Sequence, residues 1–397
     1  MITGTENLLQ LAEQNEKLIG VFEKQGLGSY FKPDNLSKIG RFTRLNTLLK
    51  SNNIDVELFI TSLNNIIDED EKVNKESNQH QEDLHFAAML PCGLRNPFKE
   101  FVEAFLQKNK AEFKDLNYLI EGNVNHELSY YPLLDNIKDE DELPDIIVAS
   151  DVNNFFHRPF MEQFIHNDIF ETYEPYTPNS YLEKVAYADP EKHFTMFTAN
   201  MLVMVVDKEK LGERKMPKKW EDLLDPAFEN DVIMRGEEDF FCNAVMLPFY
   251  KDEGMKAIKI LAQNIKSGLH PAEMVKLAGS GKPECAAVYI MPYFFSKRIK
   301  SQKAEVVWPH DGAIASPVFL LAKKSKLNQH KLLLDFLLSK EMAEMLLGRF
   351  FPSIHPEADP ECLPQTVKWL GWDFLKQHNI GALKDEIRKE FMKVWNK

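Results

Sequence analysis

The sequence predicts a two-lobed α/β fold that is preceded by a small all-α domain. From Phe86 onward, short apolar segments alternate with helical patterns, which is typical of a mainly parallel sheet flanked by helices. Before residue 68 the apolar residues recur only at helical spacing. The longest extended apolar stretch, Phe194–Val206, has the length of a strand that leaves one lobe and enters the other.

Length and charge narrow the class of protein further. A chain of 397 residues is too long for one ordinary core, so two or three domains are expected. With 44% hydrophobic and 27% charged residues the composition is that of a globular protein. The formal charge of −13 argues against nucleic acid as the main partner, because binding phosphates requires a basic surface. No segment has the 18 or more consecutive apolar residues of a membrane span.

The first 67 residues read as a helical bundle domain. Apolar residues at helical spacing predict helices over Glu6–Gln25, Gly40–Leu49 and Asp55–Ile67, with Asp55 as the N-cap of the third. Residues 68–84 are charged and amide-rich, which predicts a polar linker.

The first lobe begins with a strand over Phe86–Leu90. Asn96 and Pro97 are typical of an N-cap and a first helical position, so we expect the next helix to cover Pro97–Asn109. The following elements are a strand over Leu116–Glu121, a helix over Glu127–Ile137, a strand over Asp145–Ser150 and a helix over Phe155–His166.

The second lobe is predicted over 197–319, and the first lobe over 85–196 and 320–397. In the second lobe we expect helices at Lys219–Pro226, Asp252–Ser267 and Ala272–Leu277, and strands at Asp231–Met234, Glu284–Ile290 and Ala304–Trp308. The chain then returns to the first lobe at Val318–Lys323. It ends with helices at His330–Leu338, at Lys340–Leu347 and after Pro364.

Several phrases of the sequence resemble a known family. PDIIVASD, KKWEDLLDPAFENDVIM, VVWPHDGAIASPVFLLAKKSKLNQHKLLLDFLLSKEMAEML and RFFPSIHP recur in that order in type II solute-binding proteins of ABC importers, also called periplasmic binding proteins. The resemblance covers about residues 85–360 and looks closest to the iron, thiamine, polyamine and phosphonate binders. It implies two lobes that close on one small ligand. Residues 1–67 loosely resemble a helical domain that is fused to cytoplasmic metal-centre and redox proteins.

Candidate ligand-binding residues follow the predicted strands of the first lobe. Ligands of such sheets bind at the carboxyl ends of strands, where loops meet helix N-termini. The loop before the predicted helix Pro97–Asn109 therefore offers backbone N–H groups to an anion, or it is an ordinary turn. Asp151 and its neighbours hold the same place on another strand, where a plain Asx turn is the alternative. The candidates are Cys92, Gly93, Arg95, Asn96, Asp151, Asn153 and Asn154.

The second lobe supplies a matching set of candidates. Arg235 can bind an anion with two hydrogen bonds, and Gly236 and Glu237 follow it in a loop that we expect to start a helix. Tyr289 and Tyr293 occupy the region where ferric-iron binders of the resembled family place adjacent tyrosinates, but here three residues separate them. His310 and Asp311 add a metal ligand or a hydrogen bond, or form a surface turn. The candidate metal ligands are His157, Tyr289, Tyr293 and His310.

These features together predict a solute-binding protein and not an enzyme, since no common catalytic motif is present. The expected ligand is an anion, an anion-bearing organic molecule or a metal chelate, and no cofactor is assigned. The acidic N-terminus does not read as a signal peptide, which predicts a cytoplasmic location, or a periplasmic one if the chain was trimmed. Expected partners are an ABC transporter permease or a cytoplasmic protein that contacts residues 1–67. The alternative function is a cytoplasmic ligand sensor or a metal or cofactor delivery protein.

Overall fold

The structure is a computed structural model of the whole chain. It describes residues 2–4, 6–14, 16–33, 35–36, 43–52, 54–64, 84–122, 131–135, 137–237, 240–358, 363–364 and 366–395. The chain divides into two compact units, Met1–Glu82 and Asp83–Lys397. The predicted linker 68–84 lies almost wholly outside the described residues.

The first unit is helical. The predicted helix over Glu6–Gln25 is two helices, α1 (Leu8–Gln14) and α2 (Glu16–Lys24), and the next, α3, covers Leu45–Ser51. Residues 56–64 are helical as well, and Asp55 is their N-cap because its Oδ1 accepts the Leu58 N–H at 3.1 Å. The ring of Phe22 packs on those of Phe31 and Phe59, with centroids 4.3 and 5.0 Å away, and closes the core.

The second unit contains one ten-stranded sheet, which confirms the two-lobed α/β fold. The order along its main path is β2-β1-β3-β9-β4-β7-β5-β6, with β10 paired to β9 and β8 paired to β4. The strands are β1 (Phe86–Leu90), β2 (Tyr118–Gly122), β3 (Ile146–Ser150), β4 (Thr195–Asp207), β5 (Val232–Met234), β6 (Ile265–Gly268), β7 (Val288–Pro292), β8 (Ala304–Val307), β9 (Ala313–Ala322) and β10 (Val367–Lys368).

Two long strands join the lobes. The first lobe, lobe I, contains β1, β2 and β3 with one end of β4 and one end of β9. The second lobe, lobe II, contains β5–β8 with the rest of β4. The two strands pair antiparallel from Thr195 opposite Leu320 to Leu202 opposite Ile314. This ladder is therefore the hinge, which the apolar run Phe194–Val206 predicted. The proposed lobe bounds of 85–196 with 320–397 and 197–319 stay a prediction.

The helices of the second unit cover both lobes. They are α4 (Cys92–Lys108), α5 (Tyr131–Leu134), α6 (Arg158–Phe160), α7 (Lys208–Leu211), α8 (Asn243–Asn264), α9 (Pro271–Leu277), α10 (Tyr293–Ser296), α11 (Lys331–Leu337), α12 (Lys340–Leu347), α13 (Trp372–Gln377) and α14 (Ile380–Trp395).

The N-terminus of α4 corrects the sequence prediction. The helix begins at Cys92 and not at Pro97, because the carbonyl of Pro91 already accepts the N–H groups of Leu94 and Arg95 at 2.8 and 3.1 Å. Asn96 is therefore not an N-cap, and Pro97 lies inside the helix. The predicted loop Cys92–Arg95 is the first helical turn, directly after β1.

Other elements also differ from their predictions. The helix expected directly after Arg235 begins only at Asn243, because Gly236 pairs with Phe241 in a short bridge. The helix expected over Phe155–His166 is a 3-10 turn, Asn154–Phe156, followed by α6 and a π-helical turn, Met161–Ile165. Part of the helix expected over Glu127–Ile137 lies outside the described residues, and α5 is the described part.

Helix α14 contacts both lobes. Near its start, a Cβ on Gly381 would lie 3.2 Å from the His157 ring of lobe I. Near its end, Phe391 packs on Phe241 of lobe II with ring centroids 4.7 Å apart, and the Trp395 indole N–H donates to the carbonyl of Ile265 at 3.1 Å. The helix thus braces the hinge from outside the sheet.

Replacing Phe391, which is 1% exposed, should destabilise the second unit. We expect Phe391→Ala to lower the free energy of unfolding by about 3–5 kcal/mol, because a buried aromatic ring leaves a cavity. The measurement is chemical denaturation followed by tryptophan fluorescence. The exposed neighbour Lys389 provides the matched control, and equal stability of Phe391→Ala and Lys389→Ala would contradict the bracing role of the ring.

Candidate functional site

A cavity lies between the two lobes, near the strand ends where the sequence predicts ligand binding. Its volume is about 30 Å³, which holds one or two water molecules. Lobe I contributes the start of α4, and the hinge strand β4 contributes Asn200. The remaining walls include Arg235 and His270, and the aromatic rings of Phe294, Phe295 and Phe351.

The two lobes are in close contact at Gly93. A Cβ at this position would lie 2.6 Å from the Phe294 ring, so the ring rests directly on the backbone of the first turn of α4. Phe294 is itself held by Phe295, with ring centroids 5.3 Å apart, and by the Arg298 guanidinium, 4.6 Å from its ring centroid. A solute larger than a few atoms therefore enters only when the lobes separate or when Phe294 turns away.

Charged groups of both lobes interact beside this cavity. Asp151 follows β3 with a φ of 69°, a left-handed conformation that is uncommon outside glycine. Burial raises the pKa of the Asp151 carboxyl, while the Val152 N–H and the charges of Lys384 and Arg235 oppose that rise. Arg235 of lobe II thus interacts with Asp151 of lobe I across the interface.

His270 is neutral in this environment. Burial, with the charges of Arg235 and Lys276, lowers its pKa to about 4. Its Nδ1 accepts the Ala272 N–H at 3.2 Å and so caps α9. Because Nδ1 is an acceptor, the proton of the neutral ring is on Nε2, which remains a donor.

The polar residues after Asp151 hold the local structure together. The Asn153 side chain donates to the carbonyl of Ser150 and accepts the Phe155 N–H, both at 2.9 Å. The Asn154 amide donates to Asp135 at 2.9 Å. Asn153 is therefore the N-cap of the 3-10 turn Asn154–Phe156, as the Asx-turn alternative expects, whereas Asn154 bonds to a distant side chain.

His157 belongs to a network that the sequence did not indicate. Its Nδ1 lies 3.1 Å from an oxygen of Asp135, and its Nε2 lies 3.1 Å from the Lys384 ammonium of α14. Burial lowers the pKa of His157, and the nearby Lys384 charge lowers it further. Burial also lowers the pKa of Lys384, against the pull of Asp151 and Asp135.

The two tyrosines lie apart from the cavity walls. Tyr289 is fully buried in lobe II, where its hydroxyl accepts the Ala286 N–H at 3.0 Å and burial raises its pKa. Tyr293 is 7% exposed and packs edge-on against Trp308 and Phe350. Neither residue lines the cavity, and their ligand-binding role stays a prediction that this packing does not favour.

The other predicted site residues are dispersed. Arg95 is buried in α4 and Asn96 is exposed on it. Glu237 is exposed, and a Cβ on Gly236 would lie 2.6 Å from the Phe240 carbonyl oxygen. His310 is exposed, while the Asp311 carboxylate accepts the Trp220 N–H at 3.3 Å, and neither residue lines the interlobe cavity. The described part of the chain holds no group of three or more His, Cys, Asp or Glu side chains placed to bind a metal.

Comparison with known proteins identifies the class. Residues 141–378, more than half of the chain, match the family described as bacterial extracellular solute-binding protein, and the chain belongs to this family. No curated protein sequence matches.

Solved structures show the same fold at low sequence identity. A periplasmic binding protein, P5PA, is 19% identical with a TM-score of 0.52 over 78% of this chain and 99% of the other. The apo ferric ion-binding protein A of Pasteurella haemolytica is 16% identical with a TM-score of 0.54 over 77% and 98% of the two chains. A ferric-binding protein from Campylobacter jejuni is 17% identical with a TM-score of 0.51 over 79% and 98%.

The chain is therefore a solute-binding protein with a two-lobed fold. The described helices include none that is both long enough and apolar enough to cross a membrane. The family is described as extracellular, so it gives no support to the cytoplasmic location, which stays a prediction.

The neutral His270 makes stability depend on pH. A lowered folded-state pKa means that the unfolded chain binds the proton more readily, so stability is present above pH 6.5 and is lost as the pH falls towards 4. The loss should reach about 2–3 kcal/mol. We expect His270→Asn, which keeps a capping side chain, to flatten the dependence of the free energy of unfolding on pH in this window. His310→Asn is the exposed control, and an unchanged slope in His270→Asn would contradict the assignment.

Proposed function

We propose that the protein captures an anion-bearing organic molecule between its lobes and presents it to the permease of an ABC importer. The single observation that carries the proposal is the cavity in which the N-terminus of α4 and Arg235 meet three phenylalanine rings. The 17-residue helix places backbone N–H groups and a positive dipole end at Cys92 and Gly93. Family membership supports the capture of a small solute and a transporter as the partner.

The residues divide the recognition between charge and shape. Arg235 is half-buried and can bind a carboxylate, phosphonate or phosphate with two hydrogen bonds. Neutral His270 and the amide of Asn200 supply uncharged donors, and Phe294, Phe295 and Phe351 supply an apolar wall. An inorganic anion would use only the first part of this set, so an organic ligand makes fuller use of the site.

Capture requires a change of lobe position. The Asp151–Arg235 interaction and the Phe294–Gly93 contact both join lobe I to lobe II. An entering anion competes with Asp151 for Arg235 and replaces Phe294 at the first turn of α4. Binding is thus an exchange of contacts within the cleft, and hinge motion about β4 and β9 permits it. We propose binding without turnover. Burial raises the pKa of the Cys242 thiol to about 11, so this thiol is protonated and is a poor nucleophile.

The test is a binding measurement on Arg235→Ala. A thermal-shift panel of carboxylates, phosphonates, phosphate and sulfate identifies the best anion, since a ligand that binds only the folded state raises the melting temperature. Titration calorimetry with that anion should then show a loss of about 2–5 kcal/mol in Arg235→Ala, as expected for a buried charge-assisted contact.

Arg158→Ala is the matched control, because Arg158 is exposed and its Nε donates to Glu162 at 2.6 Å outside the cleft. Unchanged affinity in Arg235→Ala, or an equal loss in Arg158→Ala, would remove the anion assignment.

A further inference from the structure

A second and larger cavity lies beside the hinge strand β9. Its volume is about 230 Å³, which is enough for a small organic molecule. Its walls come from α8, from the 3-10 turn Trp220–Leu224, from the start of β9 and from the end of β10. None of the residues that line the interlobe cavity lines this one.

The charges around this hinge cavity are mainly negative. Four carboxylates, those of Glu221, Asp252, Glu253 and Asp311, line it with a single ammonium, that of Lys368. Lys368 forms ion pairs with Asp252 and, at 3.7 Å, with Asp311. The formal charge of the lining side chains is thus −3, and the ammonium of Lys368 already lies between two of the carboxylates.

The floor of the hinge cavity is apolar and rigid. Trp220 is 2% exposed, and its indole N–H donates to the carbonyl of Gly312 at 2.8 Å, which fixes the ring. Phe249 meets it edge-on with ring centroids 6.2 Å apart. Leu224 and Ile314 complete this surface. An apolar body can therefore lie on the floor while a positive group meets the rim.

We propose that the hinge cavity is a second ligand site and that it binds a small organic cation, an amine with an apolar body. A metal ion fits less well, because the described residues hold no cluster of three or more suitable ligands. An ammonium group can instead pair with one or two carboxylates, as the ammonium of Lys368 does with Asp252 and Asp311. The proposal is independent of the anion in the interlobe cavity.

The test uses benzylamine as the probe, with neutral benzyl alcohol of nearly the same shape as the control ligand. Titration of the full chain at low salt should give saturable binding of benzylamine and at least about fivefold weaker binding of benzyl alcohol. The double variant Glu221→Gln/Glu253→Gln should weaken benzylamine binding by at least about fivefold. The control Glu100→Gln/Glu112→Gln removes the same charge from exposed residues outside the cavity and should leave it unchanged.

Lys368→Met gives a test of opposite sign. Removing the internal ammonium frees Asp252 and Asp311, so benzylamine should bind several-fold more tightly. Weaker binding in Lys368→Met with its fold intact, equal affinity in the Glu221/Glu253 variant, or lost binding in Arg235→Ala would each overturn the proposal. The last outcome would place the amine in the interlobe cavity instead.

Discussion

The antiparallel ladder between β4 and β9 is the interaction on which the rest of the second unit depends. Among the described strands, it is where the strands of lobe I become continuous with those of lobe II, because β3 pairs with one end of β9 and β7 with the other end of β4. Every residue of β9 is buried, and every residue of β4 except Asn200. A register shift of one residue would turn every side chain to the opposite face of the sheet, so the close packing on both faces would have to be rebuilt.

The hinge also explains why charge is concentrated beside it. Asp151 follows β3 and Arg235 follows β5, so both lie at strand ends that the ladder brings to the same cleft. At the second cavity, Asp311 lies just before β9 and Lys368 is the last residue of β10. Lys368 pairs with Asp311 at 3.7 Å, and the charge of Arg235 partly offsets the cost of burying the Asp151 carboxylate. Changes in lobe position must therefore alter charge interactions as well as apolar contacts.

Much of this arrangement could be predicted from the sequence. Continuous apolar runs predicted β1, β3 and β4 closely, because strands buried on both faces leave no other pattern. Cys92, Gly93 and Arg235 line the interlobe cavity because they directly follow strands, which was the basis of their selection.

The rest depends on contacts between distant segments. Asn96 and Pro97 predicted a helix that begins at Pro97. Helix α4 begins earlier, because the carbonyl of Pro91 accepts backbone hydrogen bonds from the first helical turn. His270, Phe294 and Lys384 reach the cleft only through tertiary packing, which no local pattern encodes. Asn200 did carry a signal, as the lone amide in a long apolar strand. Tyr289, in contrast, lies near the end of a predicted strand. That position gives no information about burial, and the residue is fully buried.

The central claim is that one solute is enclosed by movement of the two lobes about the hinge. The most direct measurement is the distance between spin labels on lobe I and lobe II, attached at the exposed residues Glu100 and Lys282 by a chemistry that does not use cysteine. Pulsed electron resonance is recorded with and without the best-binding anion. The account predicts a broad distribution that narrows to one shorter distance when the anion is added. A distribution that the bound anion leaves unchanged would contradict capture by lobe closure.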